Sequence, residues 1–137
     1  MKTVFTISCG MTTAKSVAWG GKNPELFQCC QEAIRYAVSP DRGEDGKTLK
    51  AWLESRTKLT LRVEFHLNKQ RVSHTDIDSL LADLFNPLVE GACGPREGGK
   101  PIPQTKDALF WHVEARKILS EEECIIVVIE PLVDSSS

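Results

Sequence analysis

Two incompatible hydrophobic periods meet in the middle of this chain, and their meeting point constrains what it can fold into. Leu61, Val63, Phe65 and Leu67 alternate with Thr60, Arg62, Glu64 and His66, the period of two that gives a strand one buried face. Ile77, Leu80, Leu81, Leu84, Phe85 and Leu88 then recur at spacings of three and four, one apolar stripe along a helix. The segment His74-Thr75-Asp76-Ile77-Asp78 hands one pattern over to the other and carries two carboxylates. Side chains two apart diverge by about 200° in a regular helix but share a side in an extended segment. Asp76 and Asp78 therefore converge only if Asp76 is still extended. The same residues also read as a helix start without chemistry: Thr75 with Asp78 resembles a capping box, and acids in a first turn favour the helix dipole.

The flanking segments build a domain around this junction. Val4 and Thr6 alternate with Thr3, Phe5 and Ile7 in a short strand stopped at Gly10, with either face open to burial. Residues 11–22 read as loop, and Asn23-Pro24-Glu25 supplies an N-cap, a first-turn proline and a first-turn acid. The helix that follows carries Leu26, Phe27, Cys30, Ala33, Ile34 and Ala37 at helical spacing, which puts Cys30 in the core and Cys29 nearer the side. Ser39 to Gly46 is turn-rich; Leu49, Trp52 and Leu53 predict a short helix ending near Ser55. Asn68-Lys69-Gln70-Arg71 reads as a basic turn. Gly91 to Thr105, with four glycines and three prolines, reads as an irregular loop long enough to be functional.

Leu109, Trp111, Val113 and Ala115 alternate with Phe110, His112, Glu114 and Arg116, predicting a half-buried strand with Trp111 inward. Cys124 to Ile129 is apolar throughout and belongs at the centre of a sheet. Glu121-Glu122-Glu123 between them reads as the solvated turn of a hairpin, and residues 131–137 as a frayed tail. The order predicts one α+β domain over residues 1–137, with a small mixed β-sheet of about four strands and two to three helices.

At 137 residues, 41% hydrophobic, the chain can bury a single core. Its net charge of −2 gives no global field to attract nucleic acid, so a polyanion must be met by a local patch. Five cysteines without a Cys-x-x-Cys spacing argue against a zinc cluster or a disulfide framework and point to a reducing cytoplasm. No run has the length of a membrane helix, and the polar Thr3, Thr6 and Ser8 interrupt any signal-peptide core.

Asp76, Asp78 and Asp107 are the acids that can form one hard-cation site. One or two carboxylates completed by water and phosphate suit magnesium, which can orient an attacking water and offset charge at a scissile phosphate. The histidines His66, His74 and His112 lack the spacing of a helical zinc pair, and Asp83 lies too far along the helix to share an ion with Asp76.

The stretch Arg62-Val63-Glu64-Phe65-His66-Leu67, then Lys69 and Arg71, then Asp76-Ile77-Asp78-Ser79-Leu80, and later Lys106-Asp107 with Arg116-Lys117, resembles the RusA family of Holliday junction resolvases, best over residues 58–131. The resemblance implies a RusA-like fold and a homodimer that cuts branched DNA during recombination and repair with magnesium or manganese. Asp76, Asp78 and Asp107 would be catalytic metal ligands, with Lys69, Arg71, Lys106 and Lys100 on the DNA phosphates. The chain departs from the family where Ser79 replaces an asparagine and Ala82 replaces a lysine placed to stabilise developing phosphate charge. Those departures define two alternatives: a RusA-like homodimer that binds DNA or a protein without cutting, and a small protein-binding domain whose acids only cap a helix.

Overall fold

The computed structural model describes residues 2–11, 24–94 and 109–133. Four strands, β1 (Thr3–Ile7), β2 (Leu59–Leu67), β3 (Phe110–Leu119) and β4 (Cys124–Pro131), form one mixed sheet in the order β1-β4-β2-β3. Among the described residues four α-helices accompany it: α1 (Pro24–Ala37), α2 (Glu44–Glu54), α3 (Lys69–His74) and α4 (Ile77–Cys93). The expected α+β class and mixed sheet hold, with one helix more than predicted.

Strand alternation decides which face is covered. Phe5, Val127 and Val63 stand side by side across three strands, as do Ile7, Ile125 and Phe65, and all six are buried. The alternate residues Val4 and Arg62 are exposed and Glu64 and Val128 half-buried, so among the described residues the helices pack on one side of the sheet. Leu80, Leu84 and Leu88 of α4, Ile34 of α1 and Leu49 and Leu53 of α2 complete the same core.

The predicted hairpin between β3 and β4 is not formed. β4 is antiparallel to both β1 and β2, and β3 is parallel to β2 on its other side. A strand apolar on both faces gains most between two neighbours, so β4 takes the centre and β3 is left at an edge. Trp111 is not in the core either: it is 61% exposed, with the Lys58 ammonium 4.2 Å from its ring centre. The cause is a bulge, since Leu59 pairs with Phe110 but Thr60 with His112. Trp111 is the extra residue, and alternation restarts beyond it.

α4 crosses Pro87, as the stripe through Leu88 implies, and also Gly91, where the break is expected to begin. Pro87 lies inside it and cannot donate to the carbonyl of Asp83; the Gln31 side-chain amide of α1 donates to that oxygen instead, at 2.8 Å. At Gly91 the two helices come so close that a Cβ would stand 2.5 Å from the Arg35 carbonyl oxygen. The break therefore begins at Gly94, whose φ is 88°, rather than at Gly91.

Candidate metal site

The junction between β2 and α4 is built differently from the basic turn expected. Asn68 caps a six-residue helix, its side-chain oxygen accepting from the Arg71 backbone N–H at 3.0 Å. α3 is too short to persist alone, and it is fastened at both ends by side chains from β3 and the connection that follows it. At its start the Glu123 carboxylate accepts from the Asn68 backbone N–H and side-chain amide, both at 3.3 Å, and from the Arg71 guanidinium at 3.0 Å. At its end the Lys117 ammonium donates to the carbonyls of Val72 at 2.7 Å and Thr75 at 3.0 Å, where the helix presents its negative pole. Gly10 makes room for the first clamp, since a Cβ there would lie 2.7 Å from a Glu123 oxygen.

Between the clamp and α4 the chain is extended. Thr75 has φ −120° and ψ 123°, and Asp76 has φ −74° and ψ 140°. Thr75 is buried and ends α3, so the start of α4 falls at Asp76, one residue later than the capping-box reading places it. The Asp76 side chain makes no capping bond to the helix. Asp78 lies in the first turn, and both acids are exposed. The backbone condition for their carboxylates to converge, an extended Asp76 before a helical Asp78, is met.

The third expected ligand, Asp107, lies outside the described residues, as do Lys106 and Lys100. Among the described residues no group of three histidine, cysteine or acidic side chains gathers around one point. The chain re-enters at Leu109, which is buried, and the ring of Phe110 meets that of Phe85 at 5.5 Å between centres. Phe85 stands two turns beyond Asp78 on α4, about 10.5 Å of rise. The strand that Asp107 precedes is thus anchored to the helix that Asp76 and Asp78 begin.

Of the expected phosphate contacts, Lys69 is exposed on α3, whereas Arg71 is engaged by Glu123 and holds the helix start. Glu123 itself was expected in a solvated turn. Its side chain is 18% exposed and that of Arg71 25%, while Glu121 and Glu122 are exposed. No local signal separates the third glutamate of the run from its neighbours. Lys117 does carry one: it shares the parity of Val113 and Ala115, and a charge at an inward strand position needs a partner.

Two further clusters complete the picture. On the face opposite the helices a shallow depression of about 440 Å³ is lined by Arg62, Glu64, Glu114, Arg116, Ile126 and Val128. Arg62 bridges Glu114 at 3.2 Å and Glu130 at 3.3 Å, and Arg116 pairs with Glu64. The Arg116 hydrogen bond holds the Glu64 carboxyl below its ordinary range, helped by His66; His112 and then Arg62 do the same for Glu114. In the core Cys9 and Cys30 bring their sulfurs to 3.3 Å, and Cys30 lies 3.4 Å from the Met11 sulfur. The contact with Cys30, and then burial, push the Cys9 thiol up, which keeps it protonated.

No protein-family model matches the chain, and neither does any curated protein. Among the described residues no helix is long and apolar enough to cross a membrane.

Proposed function

We propose that this protein is a magnesium-dependent endonuclease of RusA type that cuts branched DNA by water attack on a phosphodiester, with Asp76, Asp78 and Asp107 as its metal ligands. The observation that carries the reading is the clamped junction, which holds Asp76 extended ahead of a helical Asp78, both of them exposed residues. Two carboxylate donors fit a hard cation that keeps water and takes substrate phosphate. Magnesium, or manganese in its place, would supply Lewis-acid stabilisation of the phosphate and a more acidic bound water. The three residues from Asp107 to Phe110 span at most about 10 Å, a reach comparable to the rise from Phe85 back to Asp78.

The protein's own residues fix the geometry. Lys117 draws in the carbonyls of Val72 and Thr75 and so sets the direction in which the chain leaves toward Asp76. Glu123 and Arg71 hold the other end of α3, and Lys69 stays available to a backbone phosphate. A second reading, junction binding without cutting, is favoured by one observation: Ala82 is exposed on α4 where the family has its lysine. Arg71, already paired with Glu123, does not replace that cation.

The test is a synthetic four-way DNA junction incubated with the protein and magnesium. Symmetric nicking that disappears in Asp78→Asn supports the nuclease. Junction binding without nicking, with cleavage appearing in Ala82→Lys, supports the second reading. Neither binding nor nicking removes both and leaves a protein-binding domain whose acids only start a helix.

A further inference from the structure

Among the described residues β3 is an edge strand of ten residues; the bulge at Trp111 and the inward Lys117 blunt it only locally, and the rest of a long edge stays open to pairing. The opposite edge is handled: β1 has five residues, and the backbone N–H of Val4 is taken by the Asp45 carboxylate at 3.2 Å. β3 instead exposes apolar side chains, with Trp111 61%, Val113 36% and Leu119 65% accessible. Its sequence also reads as its own complement. If two copies run antiparallel about a two-fold axis at Ala115, Glu114 of each meets Arg116 of the other, and Leu119 of each comes opposite the bulge that exposes Trp111. Both charged side chains have room for a second partner, since Glu114 remains 58% and Arg116 70% exposed in their pairs within the chain.

The geometry points to a second copy of this chain as the partner of β3, joining the two sheets into one of eight strands, with Ala115 on the axis. This names the surface used by the dimer in the proposed function, but it rests on β3 alone. A protein that cuts no DNA can still pair this way, and an active monomer refutes only the surface. The regular stretch from His112 to Ile118 supplies on the order of six to eight backbone hydrogen bonds and two opposite-charge contacts near its centre, with Leu119 set against the Trp111 bulge at each end. An axis relating antiparallel neighbours in one sheet is normal to that sheet, so both helical layers stay on the same side. Lys117, two residues from the axis, holds Thr75 of its own chain. The two acidic junctions therefore open on one common face, as two opposed strands of a branched substrate require.

Charge reversal tests the pairing and its register together. Glu114→Arg opposes arginine to arginine at both central contacts, and Arg116→Glu opposes carboxylate to carboxylate. Sedimentation equilibrium should show each variant alone associating about tenfold or more weakly than wild type. An equimolar mixture of the two should recover a dimer, because every opposed pair again has unlike signs. Ala115→Cys, independent of charge, should form a disulfide-linked dimer with oxidised glutathione, since opposed Cα atoms about 4.5–5.5 Å apart suit the bond. Three results overturn the inference: a wild-type monomer at the highest soluble concentration, which leaves the edge to another segment or partner; a dimer indifferent to both reversals; or an Ala115→Cys protein that cross-links no faster than wild type.

Discussion

Replacing Glu123 with alanine removes one carboxylate and, with it, the hold on the start of α3. The two contacts from Asn68 are long, 3.3 Å each, and are worth about 0.5 kcal/mol apiece; the Arg71 contact at 3.0 Å is charge-assisted and about 1 kcal/mol. Exposures of 18% and 25% place the pair between a buried bridge, whose breakage costs several kcal/mol, and a surface bridge worth almost nothing. The total loss is about 2 kcal/mol, or roughly 6–10 °C in the melting temperature of a domain this size. Urea unfolding followed by tryptophan fluorescence measures it. A double-mutant cycle with Arg71→Met should return a coupling of about 1 kcal/mol. A loss below about 0.5 kcal/mol with no coupling to Arg71 would mean that α3 is held by its own cap and by Lys117, and that Glu123 belongs to the solvated turn after all.

Gly91→Ala places a methyl group where the Arg35 carbonyl and the Val38 side chain each lie 2.5 Å away; prising α1 from α4 should cost about 1–3 kcal/mol in the same unfolding assay, and a neutral result would refute the close approach. The pH dependence of stability should include Glu64, whose carboxyl is held below its ordinary value of 4.5 by Arg116 and His66. A lowered folded-state value means that the stabilisation is complete above the unfolded value and fades as pH falls through the lower, folded one. The stability difference between wild type and Glu64→Gln should accordingly shrink on acidification below about pH 4.5; a difference that does not change with pH removes the Arg116 pair from the account.

What the sequence discloses depends on how local the deciding interaction is. The alternation from Leu61 to Leu67 and the stripe from Ile77 to Leu88 are readable because burial of one face selects every second or every third and fourth residue. The handover is readable to within one residue at Asp76. Trp111 is misplaced because a single bulge resets the parity of β3, and nothing in Phe110-Trp111-His112 marks which residue is extra. The stripe through Leu88 passes Pro87 without showing that Gln31 satisfies the carbonyl it strands, and Gly91 reads as a stop although α1 needs the space it leaves. Both compensations come from a helix far away in the chain. Glu123 is the sharpest case, since its role depends on Asn68 and Arg71, more than fifty residues earlier. The order β1-β4-β2-β3 was similarly hidden: the apolar run Cys124 to Ile129 predicts a central strand, but not that its neighbours are β1 and β2.

The proposed nuclease requires a divalent cation at the start of α4. Crystals grown with manganese and measured for anomalous scattering near the metal's absorption edge test it most directly. The account predicts one peak per chain, about 2.1 Å from carboxylate oxygens of Asp76, Asp78 and Asp107, lost in Asp78→Asn. The contradicting result is a well-ordered junction with no peak and Asp107 turned away beyond a cation's reach of the other two.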